Sequence, residues 1–325
     1  MSVHHRAQAV RKLRMCWLAE LRLCVETGTC LFKYRPISAR NSFVHLTVGA
    51  FKCIVVNDGT LSYTTPARVH FPNAPSDQLA VALRKYDLEL DLWEEWISPL
   101  PCLIIQTGMH RILVDTGLGK ADFAPNAGKL HQNLQVEGIQ PGYIDIVILS
   151  HAHGDHIGGN VDPMGKAAFP NARYVMRKEE WDFWTSEEIL SQPRYEWMIP
   201  FVHGQLLPLF DRFELLTQDT EIVPGIQTLF APGHTPGNMA LSVFSDGEKM
   251  LCLGDVITHP LHLEQPDWYI APDCQPEQSL CTRRWLLERA ADEQARVFAF
   301  HFNFPGLGTV RKSQGAWQWQ PMVLS

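Results

Sequence analysis

Three histidines and one aspartate lie within six positions, from His151 to His156, in the segment LSHAHGDHIGGN. Neutral imidazole and carboxylate groups suit Zn²⁺, Fe²⁺, Mn²⁺ and Co²⁺ as ligands. In extended backbone, His151 and His153 point to the same side, and Asp155 and His156 follow as the chain turns. Four ligands this close in sequence would distort around a single ion. The spacing therefore predicts two neighbouring ions, one for each pair of residues.

Two ions need more ligands than this segment contains, and later polar residues at predicted strand ends supply them. The candidates are His234 in APGHTPGN, Asp255 in LGDVI and His301 in FAFHFNFPG. A carboxylate has two oxygens, so Asp255 can bridge two cations. We expect two ligand sets, which are His151, His153, His234 and Asp255, and Asp155, His156, Asp255 and His301. Two ions about 3.5–4 Å apart can activate a shared water.

The elements that must position these residues alternate between strands and helices along the chain. Residues 144–150 form a continuous apolar run, which predicts a strand buried on both faces, and residues 172–176 predict another. Residues 279–295 have the period of a helix. Residues 44–63 alternate apolar and polar side chains, and Asn57-Asp58-Gly59 predicts a hairpin turn among them. This alternation predicts an α/β domain in which helices cover sheets.

Composition narrows the class of protein further. The chain has 325 residues, 46% of them hydrophobic, and a net charge of −7. This charge argues against nucleic acid as a partner, because phosphate binding needs a basic face. No apolar run reaches the roughly 18 residues of a membrane span, so we expect no membrane partner. The eight cysteines are scattered without a C-x-x-C motif, which predicts free thiols and a cytoplasmic protein.

The segments HAHGDH, GHTPG and LGD, with a late strand-end histidine, resemble the metallo-β-lactamase superfamily. The segments ILVDTG, FPNA, DFW, LGDVI and HFNFPGLG, with the aromatic tail WQWQP, are most similar to the methyl parathion hydrolase group and related lactonases and arylesterases. The resemblance implies an α/β fold, a four-layer αβ/βα sandwich with two metal ions at one edge, and the seven ligands above. It also implies that Asp115 supports a ligand histidine without being a ligand itself.

The resemblance covers residues 44–325, which we expect to form the hydrolase domain. Residues 1–43 are expected to be a helical, peripheral extension. The implied enzyme is a dinuclear hydrolase in which a metal-bridging hydroxide attacks a small molecule, namely a lactone, an aryl ester or an organophosphate-type substrate. Zn²⁺ is expected in both positions, with Fe, Mn or Co as alternatives, and a homodimer is compatible with the family. Asp155 and Asp255 are the expected catalytic carboxylates.

The pocket residues and a second class of function stay open at this point. Phe123, Trp184, Thr258 and His259 are candidates to line the substrate pocket. Acyl-homoserine-lactone lactonases commonly carry a tyrosine close behind the bridging aspartate, and this chain has none there. That role is therefore either unfilled or filled by His259 or a residue from elsewhere. The alternative function is a redox member of the same fold, of the diiron or persulfide dioxygenase type. Diiron oxygen reductases, however, have a glutamate where this chain has His153.

Overall fold

The computed structural model describes residues 42–323. Their internal contacts divide them into two units, residues 75–92 and residues 42–74 with 93–323. The smaller unit contains the helix Ser76–Arg84 and the 3-10 turn Leu90–Leu92. The expected N-terminal helix lies outside the described residues. Within residues 42–323, no helix combines the length and apolar character needed to cross a bilayer.

The larger unit contains two seven-stranded sheets, and neighbouring strands follow chain order across each. In the first sheet, β1 to β4 are antiparallel and β4 to β7 are parallel. Its strands are β1 (Phe43–Val48), β2 (Phe51–Thr64), β3 (Glu95–Gln106), β4 (Arg111–Val114), β5 (Ile146–Ile148), β6 (Arg173–Arg177) and β7 (Phe213–Leu216). The two strands predicted from apolar runs correspond to β5 and β6.

The second sheet is antiparallel except for one parallel pair, β11 and β12. Its strands are β8 (Glu221–Val223), β9 (Ile226–Phe230), β10 (Met239–Ser245), β11 (Glu248–Cys252), β12 (Arg296–Phe298), β13 (Leu307–Ser313) and β14 (Ala316–Pro321). The connection between β11 and β12 contains the helices Leu261–Glu264 and Pro276–Asp292. Such a crossover is what a parallel pair requires.

Helices cover the outer faces of the two sheets, which pack against each other. Val55 and Ile148 of the first sheet share one buried cluster with Leu241 and Cys252 of the second. A second cluster joins the first sheet's other face to nearby helices, among them Lys178–Thr185 and Ile199–Leu206. Helix Pro276–Asp292 lies against β13. These layers form the α/β, αβ/βα sandwich that the sequence predicts.

The predicted hairpin turn at Asn57-Asp58-Gly59 is wrong. Strand β2 continues through these residues, and its register with β3 shifts between Asn57 and Thr60. The Asp58 carboxylate is fully buried and accepts backbone N–H bonds from Leu118, Gly128 and Leu130 at 2.8 to 3.1 Å. Asp58 therefore anchors the neighbouring loop that contains these amides, because a buried carboxylate must be hydrogen-bonded.

Candidate metal centre

The first four predicted ligands lie directly beyond strand β5. His151 and His153 occupy the loop that follows the strand, and the short helix Gly154–Ile157 carries Asp155 and His156. Strand β5 is bonded on both sides to parallel neighbours, so the loop leaves the carboxyl edge of a fully paired strand. This position fixes the loop on a rigid part of the sheet.

Glycine is required where this loop turns back into the protein. A Cβ atom at Gly158 would lie 1.9 Å from the carbonyl oxygen of Leu118. The Gly158 amide also donates to the carbonyl of Gly117 at 2.8 Å. Because backbone meets backbone here, any side chain at Gly158 would push the ligand loop out of place.

The remaining ligands follow strands of the second sheet. His234 comes after β9, and Asp255 lies in the 3-10 turn Gly254–Val256 directly after β11. His301 follows β12. Since β11 and β12 are parallel neighbours, their carboxyl ends place Asp255 and His301 at the same edge.

The structure brings all seven predicted residues together in two groups. The ligand atoms of His151, His153, His234 and Asp255 lie within 4.8 Å of one another, as do those of Asp155, His156 and His301. Asp255 faces both groups. Its Oδ2 lies 3.4 Å from His234 Nε2 and 3.0 Å from His301 Nε2, and its Oδ1 lies 3.2 Å from His156 Nε2.

Buried atoms without hydrogen-bond partners test whether metal ions fit here. Among the described residues, His151 Nε2, His156 Nε2 and Asp255 Oδ1 are such atoms. Buried polar atoms are nearly always hydrogen-bonded, so three unpaired atoms in one cluster indicate a site for a bound group. Imidazole nitrogens and carboxylate oxygens are borderline-to-hard donors. The donor set therefore fits two divalent cations.

Three histidines of the cluster form a hydrogen bond through Nδ1, whereas their Nε2 faces the centre. His156 Nδ1 lies 2.8 Å from Asp115 Oδ2, and His234 Nδ1 lies 2.9 Å from Asp273 Oδ1. Such bonds fix the ring and its tautomer, and a carboxylate partner makes the ligand nitrogen more basic. His301 Nδ1 lies 2.9 Å from the hydroxyl of Ser98.

Asp115, which the resemblance makes a support for a ligand histidine, contacts the ring of His156 in the structure. It also accepts hydrogen bonds from the backbone and hydroxyl of Ser150, at 2.8 and 2.9 Å. Its backbone is left-handed, with φ of 58°. Sequence reasoning missed Asp273 and Ser98, because neither lies in a recognisable motif and each meets its histidine only through the fold.

Burial and charge give the histidines of the centre opposite proton affinities. Burial holds the pKa of His151 and of His153 well below the usual value. Burial also opposes a charge on His156, but the carboxylates of Asp255, Asp115 and Asp155 outweigh it and hold its pKa well above the usual range. Metal binding must therefore displace protons held by this cluster.

A largely apolar cavity of about 270 Å³ opens onto the cluster. Asp155 and Asp255 contribute to its polar end, and apolar side chains such as Leu118 and Phe201 contribute to its walls. Phe123 and Trp197 also line it, although 64% and 71% of their surfaces are exposed. These two rings therefore form the solvent-facing rim of the cavity.

Two of the four predicted pocket residues line this cavity, Phe123 and Thr258. Trp184 and His259 lie outside it, which corrects the expected pocket. The Trp184 ring is fully buried, donates its Nε1–H to Glu180 at 2.8 Å and lies edge-on to His153. His259 packs against the ring of Phe71 and other aromatic side chains. Trp184 therefore packs behind a histidine of the cluster, and His259 belongs to an aromatic group in the interior.

The family model described as metallo-beta-lactamase superfamily matches residues 99–301. The chain belongs to this superfamily. This superfamily member is 28% identical over 227 residues to an N-acyl homoserine lactonase of Bacillus thuringiensis. The alignment covers 62% of this chain and 81% of the relative.

Solved structures agree with this assignment. AidC, a dizinc quorum-quenching lactonase in complex with a product N-hexanoyl-L-homoserine, is 27% identical, with a TM-score of 0.80 over 87% of this chain and 98% of that chain. The hydrolase AbOPH, at 23% identity, shares the fold with a TM-score of 0.78 over 90% of this chain and 100% of that chain. This metallo-β-lactamase-superfamily protein is a metal-dependent hydrolase, as its relatives are, which favours hydrolysis over the redox alternative.

Proposed function

We propose that the protein is a dinuclear metal-dependent lactonase that opens the ring of N-acyl homoserine lactones. The observation that carries this proposal is the apolar cavity that ends on the seven-residue His/Asp cluster. An acyl chain suits the apolar walls, and a lactone ester suits the polar end. The similarity to lactonases supports this assignment of substrate class.

The ligands proposed for one ion are His151, His153, His234 and Asp255, and those for the other are Asp155, His156, His301 and Asp255. We propose Zn²⁺ in both positions, because zinc accepts imidazole and carboxylate ligands and AidC is a dizinc enzyme. When bound, such ions supply a hydroxide at neutral pH and polarise the ester carbonyl.

Asp155 is the residue of the cluster best placed to move a proton. It lines the cavity, and its Oδ2 lies 3.5 Å from His301 Nε2 and 3.9 Å from His156 Nε2. Hydrolysis adds water across the ester C–O bond, which breaks and leaves an alkoxide that must be protonated. We propose that the Asp155 carboxylate accepts the proton lost by water and returns it to this alkoxide.

The absence of cations from the cavity argues against β-lactams as preferred substrates. No lysine or arginine is among the described residues that line it. Among these described residues, the carboxylate of a β-lactam antibiotic would therefore find no positively charged side chain. Aryl esters lack such a carboxylate, so we propose them as secondary substrates, with phosphotriesters as promiscuous ones.

A substrate panel tests the proposal. The zinc-loaded full chain would be assayed with N-hexanoyl homoserine lactone, phenyl acetate, a phosphotriester and a β-lactam, and kcat/KM compared. We expect the lactone to be hydrolysed best and elemental analysis to find two ions per chain. A β-lactam or phosphotriester at the head of the ranking, or one ion in fully active protein, would overturn the proposal. Size-exclusion chromatography of the same sample tests the homodimer.

A further inference from the structure

Glu180 is a buried carboxylate behind the metal centre that does not belong to the seven-residue cluster. It lies in the helix Lys178–Thr185, and 0% of its surface is exposed. Three N–H groups of the described residues donate to it, and no lysine or arginine among those residues pairs with it. Burial raises its pKa, and the hydrogen bonds to the carboxylate oppose this rise. A carboxylate buried without a cationic partner is costly, so its presence needs a physical reason.

The two oxygens of the Glu180 carboxylate hold two different loops. Oε1 accepts a hydrogen bond from the backbone N–H of Ala152 at 2.8 Å, and Oε2 accepts one from the backbone N–H of Gly237 at 3.0 Å. Ala152 lies between two predicted ligands in the loop after β5, and Gly237 follows His234 in the loop after β9. One carboxylate therefore connects a loop of the first sheet to a loop of the second, at a separation that its covalent geometry fixes.

These two loops carry three of the four residues of one group in the cluster. They contain His151, His153 and His234, which form the first group together with Asp255. His153 and His234 face each other, with 2.8 Å between Nδ1 of His153 and Nε2 of His234. None of the three donors to Glu180 is adjacent in sequence to a residue of the second group. The hydrogen bonds of Glu180 therefore act mainly on the first group.

Close packing keeps the Glu180 carboxylate in place between the loops. Trp184, one turn later in the same helix, donates its Nε1–H to Oε1 at 2.8 Å and lies edge-on to His153 at a centroid distance of 5.8 Å. A Cβ atom at Gly237 would lie 2.1 Å from the backbone nitrogen of Glu180. The loop that carries His234 therefore packs directly on the helix backbone, and only glycine permits this approach.

We propose that Glu180 is a positioning residue that fixes the separation of His153 and His234 and thereby sets the affinity of the ion bound by the first group. The inference rests on the ligand sets of the proposed function, but on no particular substrate. Ligands held at the wrong separation bind a metal ion less tightly, because a metal site tolerates little displacement of its ligands. Glu180 acts on the backbone of the ligand loops, whereas Asp115 and Asp273 contact histidine rings.

NMR of the full chain loaded with ¹¹³Cd²⁺ in place of zinc can follow the two ions separately. The first group offers three nitrogen donors and one oxygen, whereas the second group with Asp255 offers two of each, so the two ions should give separate signals. In Glu180→Gln the amide nitrogen cannot accept a hydrogen bond, so a chelator titration should show about tenfold weaker binding of the first ion. Binding of the second ion should change less than about threefold. Glu187→Gln, at an exposed glutamate, is the matched control and should change neither.

A second measurement tests the hydrogen bonds themselves and needs no variant. In the wild-type full chain labelled with ¹⁵N and ¹³C, couplings through the hydrogen bonds should connect the amides of Ala152 and Gly237 to the carboxylate carbon of Glu180. In Glu180→Gln one of these couplings should disappear, because only one oxygen remains. Trp184→Phe removes a donor to the same carboxylate, so it should weaken the first ion about threefold and leave the second unchanged.

Three results would overturn the inference and leave the lactonase proposal intact. Equal weakening of both ions in Glu180→Gln would make Glu180 a general structural residue. Unchanged binding of both ions would show that it does not set the affinity. Missing couplings in wild type would show that the carboxylate does not join the loops, even if Glu180→Gln fails to fold. If loaded wild type binds fewer than two ions, the proposed dinuclear function fails, and the role of Glu180 fails with it.

Discussion

The inner side of the centre and the outer wall of its cavity are built in opposite ways. On the inner side, His156, His234 and His301 are buried, and each is held by a second hydrogen bond. On the outer wall, Phe123 and Trp197 are largely exposed rings. Directional bonds thus hold the cluster residues, whereas the proposed acyl chain would be bound by non-directional apolar contact.

The largest expected effect comes from the residue shared by both groups. Asp255→Ala removes a proposed ligand from each ion, so hydrolysis should fall by more than about 1,000-fold and both ions should be lost. Activity assays with elemental analysis of the dialysed protein measure this. Asp182→Asn, an exposed aspartate paired with Lys178, is the matched control and should change neither. Retention of two ions by Asp255→Ala would show that it does not bridge them.

Removing the bonds behind the ligands should have an intermediate effect. In Asp273→Asn and in Asp115→Asn a ligand histidine loses its carboxylate partner, so zinc affinity should fall about 10–100-fold. Competition with a chelator measures this affinity, and circular dichroism checks that each variant is folded. If both variants bind zinc as tightly as wild type does, the hydrogen bonds on the inner side do not fix the metal-binding geometry.

The exposed rim should have a smaller effect that depends on acyl-chain length. Phe123→Ala and Trp197→Ala remove apolar contact area, so KM for a decanoyl lactone should rise about threefold to tenfold. For a butanoyl lactone the rise should be less than about twofold, because its shorter chain has less apolar surface to bury. The value of kcat should stay within about twofold for both. A uniform loss across chain lengths would mean that the rim positions the reacting ester.

The smallest effect should come from the N-terminal segment. The seven residues of the cluster lie between His151 and His301, within the family match over residues 99–301. A chain that begins at Ser42 should therefore keep kcat and zinc content within about twofold of the full chain. Lower turnover at unchanged metal content and unchanged fold would place residues 1–41 in the substrate pocket.

The sequence predicted which seven residues the fold brings together better than it predicted the residues around them. The seven cluster residues lie in short polar segments after apolar strands, a local pattern that can be read without a structure. Asp273 and Ser98 reach their histidines only through the fold, so no local pattern marks them. At Asp58 a local pattern was present but misleading. Asn57-Asp58-Gly59 has the composition of a turn, but the carboxylate is buried and accepts a hydrogen bond from Leu130, which is distant in sequence.

The pocket was predicted less well for a related physical reason. Trp184 and His259 have side chains that could contact substrate, but their rings point into the aromatic interior. His70, which lines the cavity, was left out because an isolated histidine has no spacing to distinguish it. Burial and orientation decide such cases, and both depend on contacts between residues far apart in sequence.

Each group of the cluster draws on both sheets. His151, His153, Asp155 and His156 follow the first sheet, and His234, Asp255 and His301 follow the second. An ion bound by either group therefore links the two sheets. Because it binds the folded chain, it stabilises the folded state by thermodynamic linkage. At a free concentration 100 times its Kd, one such ion adds about 2.7 kcal/mol to folding stability. The concentration of free zinc would then affect the folding stability of the protein as well as its catalytic activity.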